Sequence, residues 1–217
     1  MSLKLIGAHI SPFVRKVRVV LAEKGLGYEH DPMVPFGVSD EYKRMHPMGK
    51  IPTLTDGDKV IPDSSAICVY LEKTQADPAL YPSDAYELAR ALWFEEYADS
   101  GLVTGTVVLF QERVLGPIFF KREADEAKVE TALKETIPPL FDYLERELGD
   151  HDWLIGNRFS IADIATGTQF VNYSHGKGEV AAERWPRLAA YVERVLTRPS
   201  FKAIIEEEQA MLKGAAG

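Results

Sequence analysis

Cysteine is almost missing from this chain: Cys68 stands alone among 217 residues. A single thiol excludes an internal disulfide and any zinc or iron–sulfur site built on several cysteines. Long apolar runs are missing too. No stretch approaches the ~20 apolar residues that span a bilayer as a helix, and the apolar part of residues 1–10 is too short for a secretion signal with its cleavage site. The expectation is therefore a cytoplasmic protein with no membrane partner. Positive charge is in deficit, with 25 Lys and Arg against 33 Asp and Glu, a net charge of -8. Such a surface repels phosphate backbones, so no nucleic-acid partner is expected. The tight basic cluster Arg15-Lys16-Val17-Arg18 carries too few charges for a duplex-binding face.

What is present suits a globular chain. Hydrophobic residues make up 46% and charged residues 27%, and 217 residues are enough for two small domains. The first 76 residues read as mixed strand and helix. Residues 3–6 are an apolar run suited to a buried strand. Ser11-Pro12 opens a helix, because serine caps well and proline loses nothing at the first helical position. Phe13, Val17, Val20 and Leu21 form its apolar face, which leaves Arg15, Lys16 and Arg18 to solvent. Gly25 and Gly27 stop it. Residues 28–34 read as a second strand, broken near Pro32 and Pro35. Ser39 caps a short helix over 39–45. Asp56-Gly57-Asp58 joins 53–55 to 59–61 as a hairpin. Asp63 or Ser64 then starts a helix through Ile67, Tyr70 and Leu71. The order is β-α-β-α-β-β-α.

Breakers at 77–84 mark a linker, and all that follows reads as helical. Leu88, Leu92, Trp93 and Phe94 recur at helical spacing in a segment that Gly116-Pro117 should end. Over 122–148, Val129, Leu133, Ile137, Leu140, Phe141, Leu144 and Leu148 form one stripe, which Pro138-Pro139 should kink or split. Ser160 and Asp163 form a capping box, with Phe159 and Ile164 placed for a hydrophobic staple. Two further helices, 187–196 and 201–212, flank Arg198-Pro199, and 214–217 reads as a frayed tail.

Three features of the first domain point to an extended, anionic thiol peptide. Ser11 stands at a helix N-terminus, where amides and the helix dipole favour negative charge. Its hydroxyl can donate to a thiolate; lowering a thiol pKa by two units from ~8.5 is worth about 2.7 kcal/mol. Lys50-Ile51-Pro52 is a bend whose proline is a candidate for a cis bond, with the backbone of Ile51 turned out to pair with a peptide. Lys50 suits a carboxylate. Asp63-Ser64 heads a helix, where Ser64 suits a carboxylate and Asp63 an ammonium group. Each feature taken alone also reads as an ordinary cap or loop. Cys68 reads as core, His9 as structural, and Trp93, Phe94 and Tyr97 as packing residues. Val103, Phe110 and Tyr173 are candidates for lining an apolar pocket.

Together, residues 11–18, Pro47-Met48-Gly49-Lys50-Ile51-Pro52, Asp63-Ser64-Ser65-Ala66-Ile67 and Ser160-Ile161-Ala162-Asp163 resemble the cytosolic glutathione S-transferases of the serine type. The resemblance covers nearly the whole chain. It implies a thioredoxin-like α/β domain at 1–76, a linker at 77–84 and an all-α domain at 85–217. It implies that Ser11 is the catalytic, thiol-activating residue, and that Phe13, Lys50, Ile51, Pro52, Asp63 and Ser64 bind glutathione. It implies a homodimer and a detoxifying transferase that joins glutathione to a small hydrophobic electrophile. Glutathione is then the co-substrate, with no metal or other cofactor. The chain departs from the family's pattern in carrying Asp63 for the usual Glu, and His46 where Asn is common. Ser11 replaces the Tyr or Cys of other classes, and the Ser-Ser-Cys-Ser pattern of the zeta-class isomerases is absent. Two other activities fit the same fold: glutathione-dependent reduction of disulfides or peroxides, and non-catalytic carriage of ligands.

Overall fold

The first strand, β1 (Leu3–Ile6), lies at the centre of a four-stranded sheet and buries Leu3, Leu5 and Ile6. The computed structural model describes residues 2–216 and divides the chain into two units, Met1–Leu80 and Tyr81–Gly217. The first unit continues with α1 (Pro12–Glu23), β2 (Glu29–Asp31), α2 (Asp40–Met45), β3 (Thr53–Asp56), β4 (Lys59–Pro62) and α3 (Ser64–Thr74). The strand order is β2-β1-β3-β4. β1 pairs with β2 in parallel, and a parallel neighbour requires a crossover, which α1 provides. The remaining pairings are antiparallel, with Leu5 opposite Leu54 in the buried centre. β2 is shorter than the run 28–34: Pro32 has no N–H for the ladder, and the chain turns as Met33 N–H bonds Asp31 O at 2.8 Å. In the hairpin, Asp56 pairs with Lys59, so the turn is Gly57-Asp58, and Gly57 takes the positive φ of 62° that a two-residue turn requires there.

α1 departs from the amphipathic expectation. Arg15 and Lys16 are 0% exposed and Arg18 5%, so the cations are not on a solvated face. The helix packs against α3, and each cation is met by a polar atom. Arg15 Nη2 bonds Ile10 O at 3.3 Å, Lys16 Nζ bonds Ser65 Oγ at 3.0 Å, and Arg18 Nε bonds the Tyr28 hydroxyl at 3.2 Å. Lys24, just past the helix, is also buried and pairs with Glu72 at 2.7 Å. Charge tolerates burial only with such partners.

The second unit is helical. A continuous helix runs over Ala85–Phe119, built from α4 (Ala85–Glu96), a π turn (Tyr97–Leu102), α5 (Val103–Phe110), a second π turn (Gln111–Leu115) and α6 (Gly116–Phe119). By length and composition alone it would pass for a membrane span, but 44% of its most apolar window is buried within the protein, and α4 and α5 both pack on α9 (Ile161–His175). Gly116-Pro117 does not end this helix. Over 126–148, α7 (Glu126–Thr131) passes through a π turn (Ala132–Thr136) into α8 (Ile137–Leu148) without a break at Pro138-Pro139. In both places a π turn ends two residues before the proline, at Leu115 and at Thr136, and the widened turn absorbs the missing N–H. The extra residue also shifts the phase, and Leu133 falls outside the buried stripe. α9 is buried without interruption from Ile161 to Tyr173, as a central core helix must be. α10 (Pro186–Leu196) and α11 (Pro199–Ala216) follow. α11 stays helical through Gly214 to Ala216, where a frayed tail was expected; Met1 and Gly217 lie outside the described residues.

Candidate functional site

Ser11 is the N-cap of α1, with φ -72° and ψ 129°, and it is half-buried. Its oxygen accepts from Val14 N–H at 3.5 Å, a long and therefore weak cap. A cap of this kind uses an acceptor lone pair, so the O–H remains a donor. Phe13 follows in the first turn, also half-buried.

The loop before Ser11 is set by Gly7, whose φ is +151°. A Cβ there would lie 2.5 Å from Val14 Cγ2 and 3.1 Å from Ile51 Cβ. The missing side chain therefore lets the end of β1, the first turn of α1 and Ile51 meet. His30 Nε2 lies 2.8 Å from Gly7 O, and its ring lies 3.9 Å from that of His9, so His9 belongs to the brace of this loop.

The Ile51–Pro52 bond is cis. Tyr42, buried on α2, supports the loop: its hydroxyl donates to Lys50 O at 2.7 Å and lies 2.9 Å from Thr53 Oγ1. Burial pushes the Tyr42 pKa up, so it stays a donor. Lys50 itself is exposed. Pro52 O accepts from Asp63 N–H at 3.3 Å, which ties the cis-proline loop to the head of α3.

At that head Asp63 is the N-cap, in an unusual conformation of φ 76° and ψ 135°. A non-glycine residue held there costs of order 1–3 kcal/mol. Asp63 Oδ1 accepts from the amides of Ser65 at 2.9 Å and Ala66 at 3.2 Å. Ile67 N–H returns to Asp63 O, and the Ser64 amide takes no part in these bonds. Ser64 is only 3% exposed and sits beneath the helix head, while Asp63 is exposed. The fold thus brings Ser11, Ile51-Pro52 and Asp63-Ser64 around the ends of β1, α1 and α3. Sequence reasoning missed Gly7, Tyr42 and Lys16. For Gly7 there was a signal, a glycine directly after a strand and four residues before a helix cap. For Tyr42 and Lys16 there was none, because their contacts lie across the fold.

The capping box of the second unit is fully formed. Asp163, 0% exposed, accepts from Leu154 N–H at 3.0 Å, Ser160 N–H at 2.8 Å, Ser160 O–H at 3.2 Å and Tyr191 O–H at 3.1 Å. Burial nonetheless raises its pKa to about 6. Of the candidate pocket residues, Phe110 is core, and Tyr173 is buried with its hydroxyl on Glu179 O at 3.2 Å. Tyr173 also borders a hollow of about 220 Å³ shared with Phe170 and Leu196, and Val103 is half-buried. Cys68 is buried. Phe94 is buried in the core, whereas Trp93 is half exposed and bonds the Tyr143 hydroxyl. Among the described residues no group of three His, Cys, Asp or Glu is placed to hold a metal.

A thioredoxin-like α/β unit with this cis-proline loop, followed by an all-helical unit, defines the class, and comparison with known proteins gives the family. Residues 5–79 match the N-terminal domain and residues 110–208 the C-terminal domain of glutathione S-transferases. Glutathione S-transferase Z2 of Arabidopsis thaliana is 30% identical over 213 residues, covering 95% of this chain and 92% of that one. A theta class glutathione S-transferase from Xanthomonas axonopodis pv. citri, solved with glutathione bound, is 28% identical with a TM-score of 0.80, covering 94% of this chain and 97% of that one. A glutathione S-transferase from Methylobacterium radiotolerans, solved in complex with glutathione sulfonate, is 32% identical with a TM-score of 0.75, over 94% and 95%. The chain belongs to the glutathione S-transferase family.

Proposed function

We propose that this chain joins the thiolate of glutathione to a small hydrophobic electrophile and that Ser11 activates the thiol. The observation that carries this reading is the meeting of three features in one unit: the Ser11 cap, the Ile51–Pro52 loop and the Asp63-Ser64 helix head. In this reading the cysteinyl backbone of glutathione pairs with Ile51 beside Pro52, and Phe13 packs against the bound peptide. The exposed Lys50 ammonium meets the glycine carboxylate. The α-carboxylate of the γ-glutamyl group takes the Ser64 amide and hydroxyl. The α-ammonium group takes the Asp63 oxygen that does not cap the helix.

The sulfur then lies at the Ser11 hydroxyl, which donates to it. That hydrogen bond and the α1 dipole stabilise the anion over the thiol, and the thiol proton leaves to solvent. The thiolate attacks the electrophilic carbon, forming the S–C bond as the leaving group departs or the electron pair moves into the acceptor. Glutathione is consumed as co-substrate, with no metal or other cofactor. We place the protein in the cytoplasm as a homodimer in a detoxifying role.

An ultraviolet difference titration tests the reading. Glutathione is added to wild type and to Ser11→Ala near neutral pH, and the thiolate band is followed. The expected result is thiolate absorbance in the wild type that is lost in the variant while binding persists. Binding without thiolate in either protein overturns the role of Ser11 and favours reductase chemistry or ligand carriage.

A further inference from the structure

We propose that the helical unit carries a binding site of its own: a hollow beside the C-terminal end of α9 takes a small aromatic molecule bearing one hydroxyl, which donates to Nδ1 of His175.

Two adjoining hollows, of about 280 and about 220 Å³, open between α9, α10 and α11, and Ser174, Glu193 and Leu196 line both. Their walls are apolar, with Val171 and Ile205 in the larger and Phe170 and Val192 in the smaller. A dry apolar cavity of about 150 Å³ already holds benzene, so the larger hollow has room for one or two fused rings. Gly178 shapes the smaller one. A Cβ there would lie 2.3 Å from Tyr173 Cε2, so the chain after α9 can lie flat on the Tyr173 ring.

His175 supplies the polar group. It is the last residue of α9, and its side chain is 5% exposed. Nε2 lies 2.9 Å from Oε2 of Glu208, a fully buried carboxylate of α11. The carboxylate accepts, so Nε2 carries the proton and Nδ1 of the neutral ring is an acceptor. Among the described residues Nδ1 bonds no other group, and it is not sealed inside the core; it opens where His175 lines the larger hollow. Arg113 Nη1 holds the carbonyl of the next residue, Gly176, at 3.1 Å, and Phe110 backs the imidazole with ring centroids 6.4 Å apart. An apolar hollow with one fixed polar group is the usual form of a small-molecule site.

The surrounding charge selects a neutral ligand. Glu193 lines both hollows, Glu179 lines the smaller, and Glu208 lies behind His175. Among the described residues no Lys or Arg lines either hollow. An anion there would meet like charge without a counter-ion. A phenol keeps the hydrogen bond and avoids that repulsion. An ether of the same shape fills the space but leaves Nδ1 without a donor.

The probe is 2-naphthol, compared with 2-methoxynaphthalene and 2-naphthoate by isothermal titration calorimetry. The proteins are wild type, His175→Phe and Ser174→Trp, with thermal unfolding alongside. Wild type should bind 2-naphthol about tenfold more tightly than either analogue. His175→Phe should bind 2-naphthol and its methyl ether alike. Ser174 is exposed, so Ser174→Trp should fold as the wild type does and, by covering both hollows, weaken 2-naphthol about tenfold or more. No binding of 2-naphthol to the wild type overturns the proposal, as does a preference for the ether or the carboxylate. Should His175→Phe fail to fold on losing the contact with Glu208, the other two comparisons decide. Discrimination against the ether that persists at full affinity in Ser174→Trp places the phenol elsewhere and overturns the site.

Discussion

Replacing Asp163 by Asn keeps the shape of the capping box of α9 and removes its charge. The native carboxylate is fully buried, and burial lifts its pKa to about 6 although four donors pull it down. In the unfolded chain the same group titrates near 3.9. The folded state therefore holds the proton more tightly. This group's contribution to stability grows as pH falls through 6 and levels off below about 4. Between pH 7 and pH 5 the gain is about 1.3 kcal/mol, or roughly 3–5 °C in Tm for a protein of this size. Glu112, Glu126 and Glu147 oppose it, because Arg122, Arg113 and Arg90 hold their carboxyls below the usual range. The quantity to read is therefore the wild type minus Asp163→Asn. At pH 7 the variant presents an amide NH2 to two donors of Ser160 and leaves a buried N–H without an acceptor, which costs about 1–3 kcal/mol. Relief from burying a charge offsets part of that. The stability gap should then widen by about 1.3 kcal/mol at pH 5. Urea unfolding followed by tryptophan fluorescence measures it, since Trp93, Trp153 and Trp185 all lie in the helical unit. Parallel pH profiles for the two proteins would refute the reasoning, because Asp163 would then titrate alike folded and unfolded.

Ser11→Ala should lower kcat by about 10²-fold, the usual effect of removing one donor to a developing or resting anion, with KM for glutathione little changed in steady-state assays. Gly7→Ala puts a methyl 2.5 Å from Val14 Cγ2 at a φ of +151°; overpacking of about 1–3 kcal/mol is expected, read as a lower Tm together with weaker glutathione binding. Tyr42→Phe removes the hydroxyl from Lys50 O and Thr53, which should cost about 1 kcal/mol and raise KM more than it lowers kcat. Cys68 is buried, so a thiol reagent should modify it only at the rate of unfolding, as a stopped-flow comparison in urea would show.

The elements with local causes were legible in the sequence. Ser11-Pro12, Ser39, Asp63 and the Ser160–Asp163 box each act within three residues of themselves, and each stands at the start of the helix expected of it. β1 was legible because a short apolar run at the sheet centre has no other use. Failures occurred where a distant partner decides. Pro117 and Pro138 read as breakers, yet a π turn before each carries the helix through. Whether a helix widens or breaks depends on what holds its two halves, which no local window contains. Tyr42 gave no sign that it would hold the loop at Lys50, because the seven intervening residues first have to turn back.

The cations of α1 were misread for the same reason. Charge at positions 15, 16 and 18 reads as a solvated face because most charged residues are solvated. A helix buried from Val14 to Leu21 tolerates them only where polar atoms from elsewhere arrive, Ile10 O, Ser65 Oγ and the Tyr28 hydroxyl among them. Stability alone does not explain three such residues, since well-packed apolar side chains in their place are often neutral or stabilising. Lys16 reaches the second residue of α3, whose amide Asp63 holds, so its contact ties α1 to the helix head of the proposed site. The two accounts separate on one set of variants. If packing is the whole explanation, thermal stability and glutathione affinity should rise or fall together across apolar replacements at 15, 16 and 18. If the contact with Ser65 serves the proposed site, Lys16→Met should weaken glutathione binding even where it leaves the melting temperature unchanged or higher.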